Sequence, residues 1–478
     1  MESYAIHELV WILPLSVQAR GEMMAAIECW RKGHEVKIIE KGSDLSEAGD
    51  IVAIGPSAWS NLQKYPSMLE EWHRISIDPH TAFFYLNGEL AVRPFEFEYN
   101  RPGVAQHVAY PLRVRSVFAR SHLARMLYNQ CERLSIPITW DVDIVAYQED
   151  VASGVGITVS EDGRRFQADI VVAADGYTCY RMTIPAENYE QIPSLQKALE
   201  GQKRPELRIY NGHNLHVIFV VSKTVTSVVL TREEACTPTR RSQGLQNADK
   251  ISIQEDAGSA VESWASTVPH GRVLAGIPDA ETWDTLLTNT IRAPPKTPLY
   301  AGSCLCAIPN VNGHRQVGTS SKLAIVHTAL SQRQQMEPVW LWRMVPSLAE
   351  CLRRGGDGKG AAIGAKVHEL LRYQRVTLIQ RTGFANRREL HSPTDELPKD
   401  PQDLMRQGKW LWTHNSEAYA AENFDKARAH LESGAPFQNT NLPVGHQFED
   451  WTLEDEVEKE KRGIVVPDLK LNGDWSVV

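Results

Sequence analysis

Glu40 is the first residue whose type and position predict a binding function. It ends the β-branched run 36–39, and this run follows a helix-forming stretch that Gly33 stops. A helix, a glycine and a strand that ends on an acid form the second half of a dinucleotide-binding βαβ unit, in which the strand-end carboxylate binds the hydroxyls of an adenosine ribose. The alternative is a surface acid that merely ends a strand, and Glu40 alone does not decide between the two.

The first half of that unit is altered. A phosphate-binding turn needs glycines in the pattern G-x-G-x-x-G, and the three positions counted back from Glu40 hold Val17, Ala19 and Glu22. Two Cβ atoms and a carboxylate then stand where phosphates approach the backbone, and like charges a few Å apart repel by about 1 to 4 kcal/mol. We also find no clear strand before the helix. The sequence therefore predicts weak dinucleotide binding, or none.

Further patterns predict the elements that position these residues. Residues 119–134 have the spacing of an amphipathic helix, and 168–174 is typical of a buried parallel strand closed by an Asp-Gly turn. Three runs within 206–231 are spaced like neighbouring antiparallel strands, and 366–389 is a long helical pattern. This order predicts an α/β fold in which a β-rich unit interrupts a doubly wound domain and helices follow.

Composition and charge exclude several classes of protein. Of 478 residues, 42% are hydrophobic and 23% charged, which is typical of globular chains of about two to three domains. A net charge of −8 without a basic cluster argues against nucleic-acid binding. The cysteines are scattered, with only Cys304 and Cys306 close together, so we expect free thiols and no metal site. We expect a cytoplasmic protein, because no apolar run is long enough to span a membrane and no basic segment precedes the first one.

Four segments in order, 23–41, 50–58, 120–130 and 169–176, resemble the group A FAD-dependent monooxygenases, the aromatic hydroxylase family. The closer likeness is to fungal secondary-metabolite members, and it extends to 410–419. The resemblance implies a Rossmann-like doubly wound FAD-binding domain, an inserted antiparallel β substrate domain and C-terminal helices. It also implies FAD as cofactor, NAD(P)H as co-substrate, and hydroxylation of a phenolic or polyketide-like small molecule by dioxygen.

The resemblance also implies how the chain divides. The FAD-binding domain comprises 1–80, 116–176 and 291–410, and its third part includes helices. The β-rich substrate domain comprises 81–115 and 177–290, and residues 411–478 form a C-terminal helix and a polar tail. Within that tail, the charge run 454–462 is typical of a solvated segment.

Matched position by position, the resemblance assigns five residues to the cofactor. Glu40 matches the ribose-binding acid, Gly49 a glycine of a loop that passes the cofactor, and Arg120 an arginine that opens a helix beside the flavin. Asp175 matches a turn near flavin and nicotinamide, and Ser303 stands where the family has an aspartate that binds the ribityl chain. A serine is a weaker partner there than a charged acceptor. Without the resemblance, Arg120 is a helix-surface charge and Asp175 an ordinary turn residue.

The resemblance assigns catalysis to Arg181 and Tyr210. The resemblance implies that Arg181, in the segment CYRMTIP, is a cation that keeps a phenolic substrate in its charged form. Tyr210, in ELRIYNG, implies a hydroxyl that orients the substrate. We expect the two segments to lie alongside each other, with both side chains on the face toward the flavin. Taken alone, the two residues are more typical of a solvent-facing arginine and a half-buried tyrosine.

Two functions stay open on the sequence alone. The first is an FAD-dependent monooxygenase. The second is a flavin-independent pseudoenzyme or substrate-binding relative that has lost the phosphate-binding turn. An NAD-dependent dehydrogenase is a weaker third, because it needs the same glycines. Flavin absorbance in the purified protein favours the first function, and a colourless protein favours the second.

Overall fold

A computed structural model describes most of the elements that these patterns predict. It describes residues 8–13, 19–45, 51–104, 106–115, 117–150, 155–173, 180–212, 215–232, 274, 280–292, 299–300, 325–327, 337–356, 359–391, 408–451, 455–456, 458–459, 462, 464 and 469–476. The strands in these ranges, numbered in chain order, are β1 (Glu8–Leu13), β2 (Glu35–Glu40), β3 (Ile51–Ala53), β4 (His80–Phe84), β5 (Leu90–Phe95), β6 (Val117–Ala119), β7 (Ile138–Thr139), β8 (Ile144–Asp150), β9 (Val155–Ser160), β10 (Arg165–Ala168), β11 (Ile170–Ala173), β12 (Tyr180–Pro185), β13 (Glu206–Gly212), β14 (Leu215–Val221), β15 (Val225–Arg232), β16 (Leu299–Tyr300) and β17 (Ile325–His327). The α-helices are α1 (Ala19–Arg31), α2 (Pro56–Trp59), α3 (Pro66–Ile75), α4 (Arg120–Arg133), α5 (Pro193–Leu199), α6 (Thr285–Ile291), α7 (Glu337–Gly355), α8 (Lys359–His391), α9 (Lys409–Trp412) and α10 (Ser416–Ser433).

A five-stranded parallel sheet forms the centre of the first domain. Its strand order is β17-β11-β1-β2-β7, and every neighbouring pair is parallel. β1 lies between β11 and β2, as the first strand of a doubly wound domain does. The expected absence of a clear first strand is therefore wrong, because β1 pairs with both neighbours.

The helix and strand predicted around Gly33 are confirmed. α1 buries Met23, Ala26 and Ile27, which share one side of the helix. Gly33 follows with φ +91°, a left-handed conformation that favours glycine and ends the helix. β2 then runs to Glu40 and pairs with β1 over its whole length.

A seven-stranded, mainly antiparallel sheet forms the second domain, in the order β16-β12-β15-β14-β13-β4-β5. One face of this sheet packs against α5 and α6, and we call it the helix-covered face. Its buried cluster includes Met182 and Phe219 from the sheet, Leu195 from α5 and Leu287 from α6. β16 pairs with β12, so the sheet extends beyond the boundary expected at residue 290.

The opposite face of this sheet, which we call the junction face, packs at one end against β3 and β6. Leu207, Val220 and Val229 of the sheet form one buried cluster with Ile51 of β3 and Ala119 of β6. β6 leads directly into α4, and α4 packs against α1 of the doubly wound domain. The junction face is therefore the side of the sheet toward that domain.

The C-terminal segment folds back onto α8. The Trp451 indole N–H donates a 3.1 Å hydrogen bond to the Thr377 carbonyl, and the Arg381 guanidinium lies 3.0 Å from the Glu456 carboxylate. Glu456 is only 1% exposed, so the expectation of a solvated charge run is wrong at this residue. Among the helices of the described ranges, none combines the length and apolar character that crossing a bilayer requires.

Ion pairs join α1 to α7 and α10. The Lys32 ammonium lies 2.5 Å from Glu350 of α7 and 2.6 Å from Glu417 of α10, and Arg31 lies 2.8 Å from Glu417. Burial alone would raise the pKa of both carboxyls. Hydrogen bonds from Lys32 and the neighbouring arginines outweigh it and bring the pKa of Glu350 and of Glu417 to about 2.

These pairs predict a loss of stability in acid. Because the folded-state pKa of Glu417 lies below its unfolded value, its contribution is complete above about pH 4.3 and is lost as the pH falls toward about 2. Glu417→Gln should therefore lower the free energy of unfolding at pH 7, and the difference from wild type should shrink at pH 3. Urea unfolding at both pH values measures this. Glu432→Gln, at an exposed acid of the same helix, is the control, and equal effects of the two variants would contradict the prediction.

Candidate active site

Glu40 lies at the carboxyl end of β2, the edge at which parallel α/β sheets bind ligands. The residue is 3% exposed, and its Oε1 accepts a 2.7 Å hydrogen bond from the Gly42 backbone N–H. A carboxylate offers about four lone-pair sites, which is the acceptor chemistry that ribose hydroxyls require. The position agrees with the role predicted from sequence, and the role itself stays a prediction.

The connection between β1 and α1 is where a phosphate-binding turn belongs. β1 ends at Leu13 and α1 begins at Ala19, so the glycine positions counted from Glu40 fall in the connection 14–18 and the first turn of α1. The sequence has no glycine in this connection. Val17 lies outside the described residues, and Glu22 lies in the first turn of α1. A pyrophosphate approaches the backbone closely where the connecting residues are glycines, and the sequence of this connection lacks them.

Arg120 lies where the two domains meet. It is the first residue of α4 and is buried, with 4% of its surface exposed. It directly follows Ala119, whose side chain belongs to the buried cluster at the junction face. The other cofactor-binding residues expected from sequence, Gly49, Asp175 and Ser303, lie outside the described residues.

Arg181 and Tyr210 occupy opposite faces of the seven-stranded sheet. Arg181 of β12 is directly opposite Val229 of β15. Val229 is opposite Ile218 of β14, which is opposite Ile209 of β13. Because opposite residues share a face and successive residues alternate, position 181 shares the junction face with Ile209, and Tyr210 does not. The expected common face is wrong, and β12 and β13 are not neighbours, since β15 and β14 lie between them.

Tyr210 connects the helix-covered face to α6. It is fully buried, and its hydroxyl donates a 2.7 Å hydrogen bond to Oδ2 of Asp284. Asp284 caps α6, since its Oδ1 accepts a 2.9 Å hydrogen bond from the Leu286 N–H. Burial raises the pKa of Tyr210 well above its ordinary value; Arg208 counteracts this and Asp284 adds to it. The hydroxyl therefore stays protonated and anchors a helix.

We expect Tyr210→Phe to lower the free energy of unfolding by about 1 to 3 kcal/mol, because the partly buried Asp284 carboxylate loses a donor. Turnover per folded enzyme should stay unchanged, since Tyr210 lies on the helix-covered face. Urea unfolding and steady-state kinetics measure the two effects. Tyr110→Phe, at an exposed tyrosine, should change stability by less than about 0.5 kcal/mol. A large loss of turnover at unchanged stability would return Tyr210 to the catalytic site.

The whole sequence is similar to a fungal oxygenase. It is 31% identical to the FAD-dependent monooxygenase AacuC of Aspergillus aculeatus, in an alignment that covers 95% of this chain and 91% of the relative. The chain belongs to the FAD-dependent monooxygenases. No protein-family model matches this monooxygenase.

Solved structures share the fold of this monooxygenase. CtdE, in complex with FAD and a substrate, superposes with a TM-score of 0.70 at 18% identity, covering 89% of this chain and all of CtdE. A substrate complex of salicylate hydroxylase gives a TM-score of 0.57 at 15% identity, covering 86% of this chain and 97% of the other. The predicted fold class, a doubly wound FAD-binding domain with an inserted antiparallel sheet and C-terminal helices, is confirmed.

FAD is the cofactor of this monooxygenase family. The described residues fit its adenosine half, because Glu40 is buried at the correct strand end, beside the central strand. Buried Arg120 supplies a positive charge where the doubly wound domain meets the junction face. The glycine-free connection after β1 is the part of the sequence that does not match a pyrophosphate site.

Proposed function

We propose that this monooxygenase hydroxylates a phenolic or polyketide-like small molecule in fungal secondary metabolism, with NAD(P)H as reductant. One oxygen atom of dioxygen enters an aromatic C–H bond and the other leaves as water, while one NAD(P)H is oxidised and one proton consumed. Bound FAD supplies the redox chemistry. AacuC comes from a fungus, and salicylate hydroxylase is named for a phenolic acid, which supports this substrate class.

The observation that carries the proposal is the apolar junction face. Leu207, Val220, Val225 and Val229 of this face pack against the strand that leads into Arg120, so the face lies beside the cofactor-binding domain. An apolar wall excludes water and accommodates a flat aromatic ring. The buried apolar side chains of this face are Phe83, Val92, Leu207, Ile209, Val220, Val225 and Val229.

The residues divide between cofactor and substrate. We propose that Glu40 binds the adenosine ribose of FAD and that Arg120 lies on the flavin side. Arg181 supplies the cation that favours the phenolate, since position 181 belongs to the junction face. The roles of Gly49, Asp175 and Ser303 and the cytoplasmic location are proposed as expected from the sequence. The same holds for the domain boundaries other than the one at residue 290, which β16 crosses.

The test uses the full chain, supplied with FAD and NAD(P)H under isotopically labelled dioxygen, with a panel of phenols and hydroxynaphthalenes. We expect at least one compound to accelerate NAD(P)H oxidation and to gain one labelled oxygen atom by mass spectrometry. Omission of FAD is the control and should abolish the gain. If the flavin-loaded protein oxidises NAD(P)H at the same rate with every compound and incorporates no label, the proposal is wrong.

A further inference from the structure

The ion pairs between α1, α7 and α10 border a cavity of about 490 Å³. Lys64, the last residue of the 3-10 helix Leu62–Lys64, also lines it. Small-molecule sites have volumes of about 300 to 1,000 Å³, so the cavity is large enough to hold a ligand. Its lining is mainly charged rather than apolar. The charged residues of the lining are Arg31, Lys32, Lys64, Arg353, Glu350 and Glu417.

The cavity lies at the opposite edge of the parallel sheet from Glu40. Arg31 ends α1 and β2 begins at Glu35, so the end of α1 lies at the amino end of β2. Glu40 ends β2, one strand length or about 17 Å further along the sheet. A ligand in this cavity therefore occupies a different place from the one assigned to FAD.

Positive charge exceeds negative charge in the lining of the cavity. Four cations and two carboxylates leave an excess of two positive charges, in a chain whose net charge is −8. Burial raises the pKa of Glu350 and Glu417, but hydrogen bonds from the cations outweigh it and bring both to about 2, so both acids are ionised in this count. The charges directly behind the lining cancel, because Glu28 pairs with Arg31 and Arg354 pairs with Glu350.

The cations are also more accessible than the acids. The Glu350 side chain is 3% exposed and that of Glu417 17%, whereas that of Arg353 is 28% and that of Lys64 44% exposed. An ammonium has three donors. Within the described part of the chain, the Lys64 ammonium makes one hydrogen bond, of 3.1 Å, to Glu417. Ammonium and guanidinium groups that are open to a cavity are typical ligands of phosphate.

We propose that this cavity binds a phosphate group, either as inorganic phosphate or as a small phosphate monoester. A phosphate monoester carries a charge of about −1.5 to −2 at pH 7, which balances the excess positive charge of the lining. Lys64 and Arg353 donate charge-assisted hydrogen bonds to the phosphate oxygens. The remaining volume accommodates the group that carries the phosphate. The bound anion stabilises the contact of α1 with α7 and α10, because it binds the folded chain.

The experiment is isothermal titration calorimetry of the full chain, with FAD in excess and the ionic strength held constant. Inorganic phosphate, glycerol 3-phosphate and succinate are compared at pH 7.5. We expect saturable binding of phosphate and weaker binding of succinate, because its two charges lie on separate carboxylates. Tighter binding of glycerol 3-phosphate than of inorganic phosphate identifies a monoester as the ligand, and the reverse order identifies the free ion.

Variants test whether the binding occurs in this cavity. Lys64→Gln and Arg353→Gln should each weaken phosphate binding about fivefold, the contribution of one hydrogen bond to a charged group at a partly exposed site. Lys64→Arg keeps the charge and should retain most of the affinity. Arg428→Gln is the matched control, because Arg428 is a partly exposed arginine of α10 that does not line the cavity, and it should bind as wild type does.

Thermal unfolding checks that each variant is folded, and in wild type phosphate should raise the unfolding temperature. Lys64→Gln carries the test if Arg353→Gln does not fold. The inference is overturned by an absence of saturable binding in wild type, by unchanged affinity in folded Lys64→Gln, by an equal loss in Arg428→Gln, or by succinate binding as tightly as phosphate. The result is independent of the proposed hydroxylation, since neither NAD(P)H nor a phenol is present.

Discussion

Arg181→Ala is expected to slow substrate hydroxylation about a hundredfold or more. A preorganised donor to a charged reacting group contributes about 2.7 to 4 kcal/mol to the chemical step, and Arg181 is proposed to hold the phenolate by a charge-assisted hydrogen bond. Product formed per bound FAD measures the effect. The amount of bound FAD should not change, because position 181 lies in the substrate sheet rather than in the parallel sheet.

Two further variants show whether the effect comes from the charge at this position. Arg181→Lys keeps a cation and should recover part of the rate, although lysine lacks the planar fork of arginine. Arg208→Gln removes an arginine from the helix-covered face of the same sheet, where it lies 2.8 Å from Glu206, and should not slow the reaction. Normal turnover in Arg181→Ala would end the assignment.

Replacing Val17, Ala19 and Glu22 together with glycine should tighten FAD binding at least about fivefold. The substitution removes two side chains and one negative charge from the expected path of the pyrophosphate, and repulsion between like charges alone is worth about 1 to 4 kcal/mol. Titration of the flavin-free protein with FAD, followed by flavin fluorescence, gives the dissociation constants. Glycine in the first turn of α1 also costs some helix stability, by up to about 1 kcal/mol, so unfolding is measured in parallel.

The charge and the bulk can be tested separately. Glu22→Gln removes only the charge and should give part of the gain in affinity. Glu35→Gln, at an exposed acid at the start of β2, is far along the strand from Glu40 and should give none. If the unmodified chain already purifies with one FAD per protein, the reasoning about side-chain bulk and charge in this connection does not hold.

The sequence predicted the elements whose signals are local. The run that ends on Glu40, the stop at Gly33 and the helix that begins near Arg120 all depend on residues within one or two turns of each other. Their burial followed from the same patterns, because an apolar stripe faces the core. The family resemblance supplied what local patterns cannot, namely that these elements belong to one cofactor-binding domain.

The faces of the substrate sheet could not be predicted in the same way. The face that Tyr210 occupies depends on the pairing of β12 with β15, of β15 with β14, and of β14 with β13, and a shift of one residue in any pair exchanges the faces. Its hydrogen-bond partner, Asp284, lies 74 residues away in the chain. The alternation of side chains along a strand was still predictable from the sequence, because the residue after Tyr210 lies on the opposite face from Tyr210.

Composition failed at Glu456 for a related reason. A run of charged residues is normally solvated, but Glu456 meets Arg381, which lies 75 residues earlier on α8. No local sequence pattern predicts that Arg381 is the partner of Glu456, because the two residues meet only when the C-terminal segment folds back onto α8.

The order of strands in the parallel sheet has a consequence for synthesis on the ribosome. β1 precedes its neighbour β11 by more than 150 residues in the chain, and β17 follows roughly 300 residues after β1. At about 5 to 20 residues per second, β1 waits about 15 to 60 s before the sheet can be completed. Until β11 is made, the backbone edge of β1 that faces away from β2 stays unpaired, which favours aggregation. The yield of folded protein should therefore depend on translation speed and on chaperones that shield the nascent chain.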